Sequence, residues 1–307
     1  MIRAVVALLL LIGPGIARAG DLGFVTSQNA GAVSVVDLAT GAVLAETPVA
    51  GAPAPVAYDP AHGRAYVISA ETGLLTVLDE AGAVIRTKAL PKGAFGIALA
   101  PGGGIFVTEW YRQRLMRLDA ALETVWTVPT GRAPAGVASD GALVATADRD
   151  DDRVSIYDAA TGALKSRVAV GGHPYAIAFH DGRLWSVDVM GDRVSVIAPE
   201  TGRLLGQVPT GSHPYGIAFA GGRGFVTDQY AGTVTVFDPQ RLEVLGRIAT
   251  GDYPEGIAPL PDGSGVVVAH WDSNTLVWID AASLTVTRRI ALPDGPRAFG
   301  PFTGRQE

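Results

Sequence analysis

The chain has 307 residues, 48% of them hydrophobic, with 24 Lys and Arg against 30 Asp and Glu, and no Cys. Without Cys there can be no disulfides, lipoprotein anchor, thiolate metal site or Cys nucleophile, and a formal charge of −6 argues against a sequence-independent grip on nucleic acid. Length alone suggests two domains, but a closed repeat ring would make a single domain of residues 20–307.

Residues 1–19 carry Arg3, an apolar run over 4–12, a Gly-Pro-Gly break and Ala17-Arg18-Ala19. This pattern predicts a secretory signal peptide cut before Gly20, the alternative being an uncleaved amphipathic anchor. Without Arg3 and Arg18 the mature chain would have 22 basic and 30 acidic residues, a formal charge of −8. Export places the protein in the periplasm if its source is Gram-negative. No later stretch approaches the ~20 apolar residues of a spanning helix, so no membrane span is expected.

From there on the chain is one unit repeated. Residues 171–210 and 211–250 show it most plainly: a Gly-x-x-Pro turn, an Ile-Ala-Phe run, a turn, an apolar run ending at Asp188 or Asp228, a Val-x-Val run, a second turn and a last run ending in Thr. Four short strands fit that punctuation. The third strand closes at Asp37, Asp79, Asp119, Asp158, Ala198, Asp238 and Asp280, at steps of 42, 40, 39, 40, 40 and 42 residues. Seven copies with a period near 40 predict an all-β fold, a seven-bladed β-propeller of four-stranded blades. Phe24-Val-Thr-Ser27 matches the second strand of a copy, and Pro296-Arg-Ala-Phe-Gly300 supplies a Gly-x-x-Pro position after the seventh. The C-terminal segment should therefore be the innermost strand of the N-terminal blade, closing the ring without a free sheet edge.

Phe24-Val-Thr-Ser-Gln, Val33-Ser-Val-Val-Asp, the Thr-Gly turns at Gly162 and Gly202, and the Gly-x-x-Pro-x-Gly-Ile-Ala turns resemble the YVTN, or YncE-like, seven-bladed propeller family across the whole mature chain. WD40 repeats fit poorly, because Gly-His and Trp-Asp pairs do not recur. The resemblance implies an architecture shared by periplasmic proteins of quinoprotein pathways, haem-binding nitrite reductases, amine dehydrogenase subunits and a streptogramin lyase. It does not imply one activity.

The strand order puts the Gly-x-x-Pro turns and the ends of the second strands on one face of the disc. Before the Pro position of the repeat, which is Ala94 in the third copy, stand Ala52, Gly93, Ala133, His173, His213, Tyr253 and Gly295, and after it Ala54, Phe95, Ala135, Tyr175, Tyr215, Glu255 and Arg297. The second strands close on Ser27, Ser69, Glu109, Asp148, Asp188, Asp228 and His270. Gln28, Ala70, Trp110, Arg149, Val189, Gln229 and Trp271 follow them. Carboxylates, histidines and aromatic rings thus converge on one channel mouth, the usual character of a ligand site.

Each group also has a structural reading. Asp148, Asp188 and Asp228 stand where the resembled family has Asn, and either side chain can fix a loop through its backbone amides. His173 and His213 can fill space, and Trp110 and Trp271 can cover loops. In the functional reading, His173 and His213 with Asp188 or Asp228 ligate a metal or a haem, or serve as base and acid. Such a metal site would empty as pH falls through the histidine range. Gly-x-Ser-x-Gly, His-Glu-x-x-His and Walker A motifs are missing from the sequence. Two accounts follow. The favoured one is an exported, monomeric binding scaffold presenting this face to a periplasmic protein or small ligand, beside a quinoprotein or cytochrome pathway. The other is a metal- or haem-dependent enzyme, cofactor carrier or lyase using His173, His213 and His270 with Asp188 and Asp228.

Overall fold

The computed structural model describes residues 20–307, and the expected signal peptide lies outside the described residues. Among the described residues, seven four-stranded antiparallel sheets follow one another around a ring. The fold is a seven-bladed β-propeller. Blade 5 shows the plan: Pro174–His180 is innermost, followed by Arg183–Asp188, Arg193–Ala198 and, on the outside, Arg203–Pro209. The middle strands are apolar runs because a neighbouring blade covers each of their faces; residues 194–197 and 234–237 are all buried. Outer strands such as Glu243–Ala249 are largely exposed. Among the described residues helical structure is confined to short 3-10 turns, and no helix is long and apolar enough to cross a membrane.

The core lies between blades rather than within them. Phe106 and Leu115 of blade 3 pack with Val144 and Tyr157 of blade 4, and the same pattern runs round the ring until blade 7 meets blade 1. There Leu276 and Trp278 join a cluster with Val33, Val35, Val56 and Tyr58, and the Trp278 indole N–H donates to the Leu38 carbonyl at 3.0 Å.

Around the axis the inner strands approach one another closely. A Cβ on Gly96 would lie 2.1 Å from the Ala135 carbonyl oxygen of the next blade, and one on Gly256 would lie 2.2 Å from that of Arg297. Backbone proximity therefore requires glycine at these two positions, whereas blades 5 and 1 carry Ala176 and Ala298 at the equivalent place and blade 2 carries Pro55. A threonine bridges the gap: Thr108 Oγ1 accepts the Gly96 N–H and donates to the Ala135 carbonyl, both at 2.8 Å. Thr227 does the same between Gly216 and Glu255.

Blade 1 takes its innermost strand from the other end of the chain. Thr303–Arg305 pairs with residues 21–23, the Phe24 N–H donates to the Phe302 carbonyl, and Ser27 bridges Pro296. The strand expected over 296–300 is not continuous. The Phe299 N–H donates to the Ala54 carbonyl at 3.1 Å, and the Val56 and Tyr58 N–H groups donate to the carbonyls of Phe299 and Pro301. Residues 299–301 are thus paired with the inner strand of blade 2. Two residues explain the detour: Gly300 adopts φ 128°, and Pro301 has no N–H for a ladder. The C-terminal segment stitches two blades together where the sequence predicts one strand.

Candidate functional site

In every blade the residue before the inner-strand Pro, or before Ala94 in blade 3, is left-handed, with φ of 52° at His173, 53° at His213 and 50° at Tyr253. Its carbonyl accepts the N–H just beyond the second strand, from Val189 at 3.0 Å, Gln229 at 2.9 Å and Trp271 at 2.9 Å. His is among the non-glycine residues that tolerate this region. The His173 and His213 backbone N–H groups donate to Asp152 and Asp192 at 2.8 Å. The His213 ring lies flat on Tyr230, centroids 3.9 Å apart, with Nδ1 3.0 Å from Ser212 Oγ. Among the described residues no three His, Asp or Glu side chains are grouped to hold a metal ion.

The residues closing the second strands point into their blades. Asp188 is fully buried and accepts the Gly171 N–H at 2.9 Å and the hydroxyls of Ser186 and Ser195 at 2.8 and 2.6 Å. Asp228 accepts from the Gly211 N–H, Thr233 and Thr235, and Asp148 from Thr146 and Ser155. In each of these three blades the carboxylate bonds a hydroxyl seven residues further on. Burial pushes these carboxyls up, Asp188 to about 6, against the pull of their hydrogen bonds. Blade 7 has His270 at this position and Val277 seven residues on. Both ring nitrogens of His270 are buried without partners among the described residues, and burial lowers its pKa to about 4. Glu109 is likewise buried, with Oε2 4.0 Å from Arg112 Nε.

The groups that do meet are on the axis. Arg297, delivered by the C-terminal stitch, places Nε 2.9 Å from both Glu255 Oε2 and Tyr215 Oη, with its N–H directed to the phenol. Arg297 Nη1 donates to Gln28 Oε1 at 2.7 Å, and the Gln229 amide donates to Glu255 Oε1 at 2.5 Å. Glu255 is 3% exposed and its Oε2 accepts no hydrogen bond among the described residues. Burial raises its pKa, opposed mainly by Arg297. The Tyr215 hydroxyl reaches Tyr175 at 3.4 Å. Beneath them Phe299 packs against Phe95, Tyr175 and Tyr215, with ring centroids 5.0 to 5.7 Å apart, and forms an aromatic floor.

An open polar depression beside this cluster is lined by Gln28, Asn29, Glu71, Trp271 and Arg297, and the Trp271 indole N–H finds no acceptor among the described residues. Its aromatic rim runs from His213 and Tyr230 through Tyr253 to Trp271. Across the mouth, Trp110 lies edge-on to Phe95, with the Arg149 guanidinium 5.6 Å above its ring.

No family model matches the chain, and no curated protein matches it by sequence. Solved structures do. A functionally unknown protein from Desulfotomaculum acetoxidans matches with TM-score 0.78 at 15% identity, over 91% of this chain and 99% of its own. The dihydro-heme d1 dehydrogenase NirN matches with TM-score 0.68 at 16% identity, over 90% and 74%. A streptogramin B lyase matches with TM-score 0.70 at 19% identity, over 83% and 91%. These likenesses establish the fold alone.

The columns already held Tyr175, Tyr215, Glu255 and Arg297 as site candidates; the structure joins to them Phe95, Gln28 and Gln229, which stood in the columns without a site role, and Phe299, which did not. The two glutamines stand directly after the second strands, so the column position was their signal. Phe299 had none, because it occupies a position that is Ile in most copies.

Proposed function

We propose that this is an exported propeller of the YVTN, or YncE-like, kind, whose axial cluster binds a small polar ligand without transforming it. The observation that carries the reading is the Glu255–Arg297 pair. It is held by Tyr215, Gln28 and Gln229, yet Glu255 Oε2, 2.9 Å from Arg297 Nε, accepts no hydrogen bond among the described residues, and the depression that Arg297 lines also holds the Trp271 indole N–H without an acceptor. Buried polar atoms are normally satisfied, so such vacancies mark where a ligand's donor and acceptor belong. Glu255 and Arg297 restrain each other, which suits recognition better than proton transfer. Around the mouth, Tyr111, Met190 and Tyr230 are 58 to 69% exposed. Tyr and Met are enriched at protein interfaces, so a partner protein in the same compartment would approach from this face.

Protein purified from the exported fraction without tags or chelators should contain an organic ligand detectable by native mass spectrometry, and Glu255→Gln should lose it. Stoichiometric metal or a visible absorption band, lost on replacing His173 and His213 together, would instead establish the metal or haem account.

A further inference from the structure

The far half of the channel is a separate chamber. Beyond Phe299 the second halves of the inner strands enclose a cavity of about 420 Å³, within the range of small-molecule sites. Its walls include Ala138, Ala178, Ile217 and Phe179, and Phe299 is among its lining residues. His180 lies parallel to Phe219 in the same lining, ring centroids 4.0 Å apart at 6°, giving the chamber a flat π surface. No Asp, Glu, Lys or Arg lines it. Of the two polar side chains that do, Ser139 donates its hydroxyl to the Leu143 carbonyl at 2.7 Å, and His180 Nε2 faces Asp181 at 3.5 Å.

We infer that this chamber is a second binding site, specific for a neutral, largely apolar ring compound. The argument is one of matching. The side chains lining it are almost all apolar, so an apolar molecule entering it removes carbon surface from water. A charged ligand would lose its hydration and gain no counter-charge. The unpaired inner edge of the innermost strands offers peptide groups to a carbonyl or hydroxyl on the ring, and His180 on Phe219 provides a stacking face. The site lies across Phe299 from the Glu255–Arg297 pair and does not depend on the ligand proposed there.

The test uses two fluorescent probes sharing one ring system: neutral N-phenyl-1-naphthylamine, and its sulfonated analogue 8-anilino-1-naphthalenesulfonate. The neutral probe should bind at one per chain with a blue-shifted, enhanced emission, and the sulfonate at least about tenfold more weakly. Ala178→Phe, which fills the chamber, should lower affinity for the neutral probe by about tenfold or more. Ala138→Phe on the adjoining wall should do the same, and serves if the first variant fails to fold. Trp271→Phe on the opposite face should leave it unchanged. Equal binding of the two probes, non-saturating uptake, or sensitivity to Trp271→Phe with indifference to the folded filling variants would overturn the assignment.

Discussion

Asp188 and Gly171 are joined by a 2.9 Å hydrogen bond that ties the end of a blade's second strand to the turn by which the chain enters that blade. The bond recurs between Asp228 and Gly211. Each carboxylate is therefore a latch on the crossover from one blade to the next, drawn into the protein by hydroxyls on two strands.

The latch has a pH signature. The Asp188 pKa is about 6 when folded, against 3.8 for an unperturbed Asp. Between those values the folded chain binds more protons than the unfolded one, so this group's contribution to stability falls as pH rises from about 4 through about 6. Asp188→Asn should flatten that slope in urea unfolding and be at least as stable as wild type at pH 8. Asp188→Ala should lose about 1–3 kcal/mol, because Gly171, Ser186 and Ser195 lose their acceptor.

His270 titrates with the opposite sign. Its folded pKa of about 4 lies below the unperturbed 6.5, so the stability it contributes is complete above pH 6.5 and is lost as pH falls toward 4. His270→Leu should remove this acid-side loss and raise the melting temperature at pH 5 relative to wild type. If it unfolds the protein at pH 8, the imidazole has a partner that the geometry does not reveal. The two slopes oppose each other across pH 4–6, and burial of Asp148, Asp228 and Glu255 adds to the Asp188 side, so the variants rather than wild type separate them.

Gly96→Ala should destabilise by about 3 kcal/mol or more, since the new methyl would meet the Ala135 carbonyl at 2.1 Å. Gly246→Ala is the control: nothing lies within 4 Å of its Cβ position, and the reduced freedom of the unfolded chain should make it neutral or slightly stabilising. Equal melting temperatures for both variants would mean the inner ring is looser than drawn.

Removing residues 294–307 should unfold or oligomerise the protein, because it exposes the second strand of blade 1 and the inner strand of blade 2 together. Size-exclusion chromatography with a melting curve checks this; an unchanged monomer would show that apolar packing of blade 7 on blade 1 closes the ring by itself.

The repeat made the blades legible, since Gly, Pro and Asp fall where backbone geometry demands them. It also located the columns around the mouth. What a period cannot report is which way a side chain turns. Asp188 and Tyr175 belong to neighbouring columns, yet Asp188 is drawn inward by Ser186 and Ser195, while Tyr175 reaches the axis. Only the Ser and Thr pattern flanking the aspartates carried that information, together with its loss at Val277 beside His270. The detour at Gly300-Pro301 was hidden for another reason: it occurs in the one segment that belongs to two blades and so has no second copy to compare.

The stitch also sets an order of events. Glu255 and Tyr215 are made before Arg297, and they can meet it only when residues 295–305 have been synthesised and folded back onto residues 20–28. Assembly of the axial cluster and ring closure are thus a single maturation step. A chain still being made lacks the Glu255–Arg297 pair, and a ligand of the kind proposed for that pair would act as a clasp on the seam.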